Sequence, residues 1–436
     1  MNLTYGIKDR PGFGKTLVFA FQQLLAIMAA TIAVPSIIGN GMSETAALFG
    51  AGIGTLVYLL FTKFRSPVFL GSSFAFIGSM FAAFGGAASM QLGYLGLILG
   101  AGFAGLVYVI IAIVVKCVGV GWINKLMPAV VIGPTVAIIG LSLAGNAVGD
   151  LFTAPAGGSE YIALICGLVT LAVTMLCSVY GKKMIKMIPF IIGILAGYAV
   201  ALCFTLIGNA TGNESLLVIN LSLFNTMKWL PDFTFLTAIG GFGELTGSYV
   251  ATVAVAYIPV AFVVFAEHIA DHKNLSSIIG SDLLEEPGLH RTLLGDGIGS
   301  FAGAIFGGCP NTTYGESVGC VAISGNASVV TILYTAILAI VISFVGPFAT
   351  FLATIPNCVM GGVCIALYGF IAVSGLKMIQ NVDLNDNKNL FVVSVILIAG
   401  IGGMVVSFGA VTITEVACAL ILGILTNVML SGKKKA

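Results

Sequence analysis

The sequence predicts an all-α polytopic membrane protein of fourteen transmembrane segments, arranged as two inverted repeats of seven. Three observations predict it. Mean hydropathy is +1.11, with 58% hydrophobic and 8% charged residues, where a soluble domain has roughly 45–50% apolar and about 25% charged. Apolar runs of about 20 residues, the length that crosses a bilayer, recur along all 436 residues. Finally, the lysines and arginines sort onto one side when the runs are counted as crossings.

The long runs lie near 14–38, 45–62, 91–115, 122–144, 160–180, 185–208, 246–272, 290–307, 327–346, 356–376, 388–407 and 412–430. Two shorter segments, 67–83 and 309–324, are rich in Gly, Ser and Thr and contain or adjoin proline. Positive residues favour cytoplasmic loops. With both short segments crossing, 17 of the 18 lysines and arginines face the cytoplasm with both termini, and Lys228 alone lies outside. Dropping either segment scatters them over both faces. Nothing at the N-terminus reads as a signal peptide. Nine scattered cysteines without a Cys-x-x-Cys pair read as buried thiols, not as a disulfide or zinc framework.

Seven spans is an odd number, so a duplicated half re-enters the membrane inverted. "PAVVIGPTVAIIGLSLAG" (Pro128–Gly145) resembles "PNCVMGGVCIALYGFIAVSG" (Pro356–Gly375), and the short segments are spans 3 and 10, also seven apart. Paired interrupted segments point to a midplane binding site.

Few carboxylates remain at membrane depth: Glu267, Asp271, Asp296, Glu316 and Glu415. Such residues are costly in lipid and carry a functional reading by default. Glu267 and Asp271 are four apart, on one helical face, so one proton is expected to be shared or held between them. Their segment reads Glu-His-x-x-Asp-His, which fails the metalloprotease spacing. Because Lys273 follows, His268 and His272 are expected at the interfacial end of the helix. In "CPNTTYGES" a helix is expected from about Thr313, with Thr313 and Glu316 able to form a capping box. The sharper reading sets this half-helix N-terminus mid-membrane, offering N–H groups and a carboxylate to a ligand. Ser72 and Ser73 mark where a facing half-helix begins in "PVFLGSSFAFIG". Free N–H groups donate to carbonyls and carboxylates accept from ring N–H groups, so a flat neutral nucleobase-like molecule fits. Phe74, Phe76 and Tyr314 could stack on its faces. No cation at this depth offsets Glu267 and Glu316 for an anionic ligand. No metal-ligand set or nucleophile–base pair suggests an enzyme, and nothing resembles a nucleic-acid surface.

"GSSFAF", "AEH", "DLLEEPGLHR" and "PNTTYGE" resemble the signature segments of the nucleobase–ascorbate transporter family, in its uracil-transporting branch. The similarity runs along nearly the whole chain. Purine-transporting members carry Gln followed by Asn or Thr where Glu316 and Ser317 stand, and a purine (xanthine or urate) carrier on the same fold is the nearest rival. The resemblance implies a core domain of 14–119 (spans 1–4) and 246–346 (spans 8–11). It implies a gate domain of 120–232 (spans 5–7) and 347–430 (spans 12–14), with the core moving against the gate in an elevator-like way. It further implies import of uracil by proton symport in the inner membrane, with no cofactor besides the coupling proton, and a homodimer through the gate domains. Glu267 and Glu316 would hydrogen-bond the base, and Phe74 and Gly315 would offer backbone N–H groups. Ala30, Ser73 and Tyr314 would line the pocket, while Glu267, Asp271 and Asp296 would serve proton coupling. Some members carry His at the place of Asp271, which makes a carboxyl pair the expected proton store here.

Overall fold

Lipid offers no hydrogen bonds to an exposed backbone, so apolar runs satisfy their amides internally as helices. The computed structural model describes residues 3–119, 128–155, 157–182, 184–380, 382–408 and 411–431. In chain order the helices are α1 (Phe13–Ile38), α2 (Glu44–Phe61), α3 (Ile77–Gly85), α4 (Met90–Val118), α5 (Ala129–Ser142), α6 (Ala144–Leu151), α7 (Glu160–Tyr180) and α8 (Pro189–Thr211). Beyond a long connection come α9 (Gly247–Ile279), α10 (Leu289–Gly307), α11 (Gly315–Ser324), α12 (Val329–Ile342), α13 (Gly346–Ala353), α14 (Asn357–Met378), α15 (Asn387–Ile401) and α16 (Glu415–Ser431). Among the described residues eight helices are long and apolar enough to cross a membrane, or nine if the α12–α13 pair, bent by 83°, is one span. The chain is thus a multi-pass membrane protein. Lys125, Lys183, Lys433, Lys434 and Lys435 lie outside the described residues, as do 122–127 of the fifth expected span.

Two groups of helices pack among themselves. In the first, α10 lies against α2 and α4, joined by α1, α9 and α12; in the second, α14 lies against α5 and α7, joined by α8, α15 and α16. Small residues let these backbones approach closely. A Cβ on Gly50 of α2 would strike the Gly303 carbonyl of α10, and one on Gly303 would strike the Asn311 side chain. Asn311 Nδ2 donates to the Gly50 carbonyl at 3.1 Å, so a polar side chain seals the glycine seam. Pro128 and Pro356, matched in the sequence, both stand at the N-cap of their helices, α5 and α14.

Several boundaries differ from expectation. Helix α9 runs to Ile279, past Lys273, until Gly280 closes it in a left-handed conformation (φ 69°). The last two apolar helices are short: α15 ends at Ile401 before a turn with Gly403 at φ 66°. Strands β3 (Val406–Phe408) and β4 (Val411–Ile413) then pair antiparallel ahead of α16, taking over the last residues of the expected span 388–407 and the first of 412–430.

Two connections bridge the groups at one end, Thr211–Thr246 from α8 to α9 and the bend between α12 and α13. They meet where the Trp229 indole covers Gly346. The amino-terminal segment packs elsewhere. Thr4 N–H donates to the Gly325 carbonyl at 2.8 Å, Ala327 N–H to Tyr5 at 2.9 Å and Val329 N–H to Ile7 at 3.1 Å. It thereby runs parallel to the connection between α11 and α12.

Candidate functional site

The two short segments meet as strands. β1 (Leu70–Ser72) pairs antiparallel with β2 (Asn311–Thr313) in the register Leu70–Thr313, Gly71–Thr312 and Ser72–Asn311. Each strand leads into a half-helix: a 3-10 turn at Phe74–Phe76 followed by α3, and α11 from Gly315. The paired half-helices expected from the sequence therefore exist, with starts shifted two to four residues. Thr313 is not a cap. Its hydroxyl donates to Asp271 Oδ2 at 2.8 Å, and Tyr314 stands at the N-cap of α11 with no side-chain bond. The capping box is thus not formed, because β-pairing with Leu70 and the Asp271 carboxylate claim Thr313.

The strands are held by side chains on neighbouring helices. Thr55 Oγ1 accepts from Leu70 N–H at 2.9 Å, and Ser317 Oγ accepts from Phe69 N–H at 3.2 Å. Gln23 Nε2, on α1, donates to Ser317 Oγ at 2.5 Å. Tyr314 lies flat over Gly71, where a Cβ would run into its ring, and its hydroxyl donates to the Ser72 carbonyl at 2.7 Å.

A cavity of about 330 Å³ opens beside α11. Glu267, Asp271, Gly315 and Glu316 line it, with Ala26, Val136, Phe190, Leu367 and Phe370 supplying apolar walls. Three carboxylates and a half-helix N-terminus, whose first N–H groups lack intrahelical partners, thus face one space between the two helix groups. Asp271 stands over the N-terminus of α11: a Cβ on Gly315 would lie 3.9 Å from Asp271 Oδ1. Ala30, Ser73, Phe74 and Tyr314 are buried in the packing behind this cavity and are not among its lining residues. Phe74 instead meets Tyr368 edge-on at 5.8 Å. One cation does border the space: the exposed Lys186, on a single helical turn (Met184–Met187), lines the same cavity.

His268 and His272 are not interfacial. Both are fully buried, because α9 continues past Lys273 and packs them against α10 and α2. His268 Nδ1 lies 2.7 Å from Asp296 Oδ2 and its Nε2 lies 3.0 Å from Thr292 Oγ1. The His272 ring stacks on His268 at 4.0 Å and reaches Tyr58 at 2.7 Å. Asp296 thus sits in a buried polar cluster apart from the cavity. Glu415 lies in the first turn of α16, its Oε1 3.6 Å from where a Cβ on Gly78 would stand.

Sequence reading missed Gln23, Thr55, Tyr58 and Thr292. A signal was available for Gln23, Thr55 and Tyr58, which are hydrogen-bonding side chains within apolar runs. Among the described residues no group of three His, Cys, Asp or Glu side chains could hold a metal ion.

Residues 14–408 match the family model for xanthine/uracil permeases, described as "Permease family". The chain is 39% identical to the uracil permease of Bacillus caldolyticus, covering 99% of this chain and 95% of that one. It is 36% identical to the uracil permease of Escherichia coli (strain K12), covering 96% and 92%. The transmembrane domain of the cyanobacterium bicarbonate transporter BicA superposes with a TM-score of 0.65 at 17% identity, over 95% of this chain and 96% of that one. That likeness shows a shared membrane-transporter fold. Full-length identity to permeases, together with paired half-helices at a carboxylate-lined cavity, places the chain in the nucleobase–ascorbate transporter family, as a transporter and not an enzyme.

Proposed function

We propose that this chain imports uracil by proton symport across the inner membrane. The observation that carries the reading is the convergence of Glu267, Asp271 and Glu316 on one cavity at the N-terminus of α11. Carboxylates accept from the ring N–H groups of a pyrimidine-2,4-dione, and the open N–H groups of the half-helix donate to its carbonyls. The names of the relatives support uracil in particular.

In this reading Glu267 and Glu316 hold the base, and Gly315 and Phe74 offer backbone N–H groups. Ala30, Ser73 and Tyr314 close the pocket once the helix groups shift. Glu267, Asp271 and Asp296 handle the proton. The chain crosses fourteen times in two inverted repeats, with both termini cytoplasmic. A core of spans 1–4 and 8–11 moves against a gate of spans 5–7 and 12–14, and two copies associate through their gates. The separate packing of the two helix groups supports that division.

The test is radiolabelled uracil uptake into cells lacking their own permease, with and without a protonophore and with unlabelled xanthine as competitor. Uptake that collapses with the protonophore and ignores xanthine supports the reading. Uptake blocked by xanthine assigns the purine alternative.

A further inference from the structure

We propose that the groove between residues 3–9 and the first turns of α1 holds an anionic phospholipid, its phosphate bound by Lys15 and Tyr5. This surface lies away from the carboxylate-lined cavity, and its occupant does not depend on which base the chain carries.

The groove has a volume of about 400 Å³. Thr4 and Tyr5 of the amino-terminal segment form one wall, and Lys15, Val18 and Phe19 of α1 form the other. Residues three and four apart share a helical face, so these three side chains line the groove together. The segment is fixed over them. Thr4 N–H donates to the Gly325 carbonyl and Ala327 N–H to the Tyr5 carbonyl, and the Tyr5 ring meets Phe19 edge-on at 6.1 Å.

The mouth of the groove is cationic. Lys15 Nζ lies 3.4 Å from Tyr5 Oη. An ammonium only donates, so the phenol oxygen accepts and its own proton stays free for another acceptor. Two donors thereby meet at one spot, as phosphate oxygens require. Lys8 and Arg10 are exposed on the connection that leads into α1. Among the described residues none of these three cations has a carboxylate partner. Asp9 is the only carboxylate before Glu44, and its Oδ2 accepts from Gly6 N–H at 2.7 Å within its own segment.

Beyond the charge the surface turns apolar. Val18 and Phe19 lie about one turn, roughly 5 Å, further along the α1 axis. On the adjoining face Phe13, Leu17 and Phe21 are exposed at intervals of four, beside exposed Ile337 and Val341 of α12. Such an exposed apolar stripe on a multi-pass protein faces acyl chains. A cationic mouth above an apolar wall repeats the order of groups in a phospholipid, phosphate first and acyl chain after. A zwitterionic lipid would bring its own cation against Lys8, Arg10 and Lys15, so the anionic headgroup is the one that fits. A free phosphate would engage the mouth and leave the apolar wall uncovered. Because Tyr5 both borders the groove and accepts from Ala327, the lipid would clamp the segment to the connection that follows α11.

The test is amide hydrogen exchange on the full-length protein in nanodiscs of phosphatidylcholine, with or without phosphatidylglycerol. Phosphatidylglycerol should slow exchange in residues 3–9 and 325–329 several-fold, and Lys15→Gln should abolish that protection. Lys63→Gln removes an exposed cation from the turn after α2 and should keep it. Protection retained by Lys15→Gln, or lost equally in both variants, would overturn the proposal; the second outcome would mean a diffuse surface field. Inorganic phosphate added to the phosphatidylcholine nanodiscs should protect nothing. Protection equal to that of the lipid would assign a free-anion site instead. Lys15 is exposed, so its variant should fold, with melting temperature as the control. If that temperature falls, Tyr5→Phe carries the test, since it keeps the ring on Phe19 and removes only the donor. Undiminished protection in Tyr5→Phe would overturn the assignment of the phosphate to this pair.

Discussion

The hydroxyl of Thr313 donates to Asp271 Oδ2 at 2.8 Å, joining the strand before one half-helix to the carboxylate-bearing face of α9. A hydrogen bond to a charged group contributes about 1.5–3 kcal/mol. Thr313→Val removes the donor while keeping the branched shape that suits a strand. We expect transport to fall 10-fold or more with expression retained, and Thr313→Ser to restore most of it. Initial rates of uracil uptake check this, and wild-type rates from the valine variant would show that the bond does not order the site.

Glu316 lies in the first turn of α11 and faces the cavity. If its carboxylate accepts a ring N–H, Glu316→Gln puts a donor where an acceptor is needed. Binding should weaken by about 10- to 150-fold, the equivalent of roughly 1.5–3 kcal/mol. Equilibrium binding of uracil to the purified variant measures it, and unchanged affinity would leave Glu316 without a role in recognition.

Glu267 and Asp271 share a face and the same cavity. Glu267→Gln imitates a permanently protonated side chain, so uracil exchange should persist while accumulation driven by a pH gradient is lost. Asp271→Asn should weaken coupling with a smaller effect on binding. Uptake into proteoliposomes under an imposed gradient, beside binding on the same preparations, separates the two. Full accumulation by Glu267→Gln would take it off the proton path.

Topology is open to labelling. In a cysteine-free background, cysteine at Lys182 or Lys433 should react only from the cytoplasmic side and cysteine at Lys228 only from outside. The reverse pattern at 182 and 433 would contradict fourteen crossings.

Gly303 packs against Asn311 and the Gly50 carbonyl. Gly303→Ala must push that seam apart, an overpacking that costs about 1–3 kcal/mol. A lower melting temperature in detergent is expected, and an unchanged one would mean that the seam yields without cost.

The sequence made the long apolar helices legible because apolar length acts along the chain. It also disclosed the paired half-helices, since Gly, Ser, Thr and Pro interrupt two segments in corresponding places. The setting of His268 and His272 was not legible. Lys273 suggested a helix end, while the actual end depends on Gly280 and on packing against α2 and α10. Thr313 was misread for a related reason. Its residue type and spacing suit a cap, but its partners, Leu70 and Asp271, lie far away in sequence. The cavity position of Lys186 likewise follows from how the two helix groups come together, which no local pattern encodes.

The amino-terminal segment bears on how the chain is made. Ser328 Oγ donates to the Asp9 carbonyl at 2.6 Å across 319 intervening steps of sequence. Domains form roughly in the order in which ribosomes deliver them, yet residues 3–9 have no β-partner until the connection after α11 has emerged. The first part of the chain to be synthesised is therefore fastened only after about three quarters of the chain has emerged. Closing so long a loop is slow for entropic reasons. During biogenesis the half-helix carrying Glu316 must enter the bilayer before its strap is in place, and a stalled or truncated nascent chain exposes a vacant strand edge.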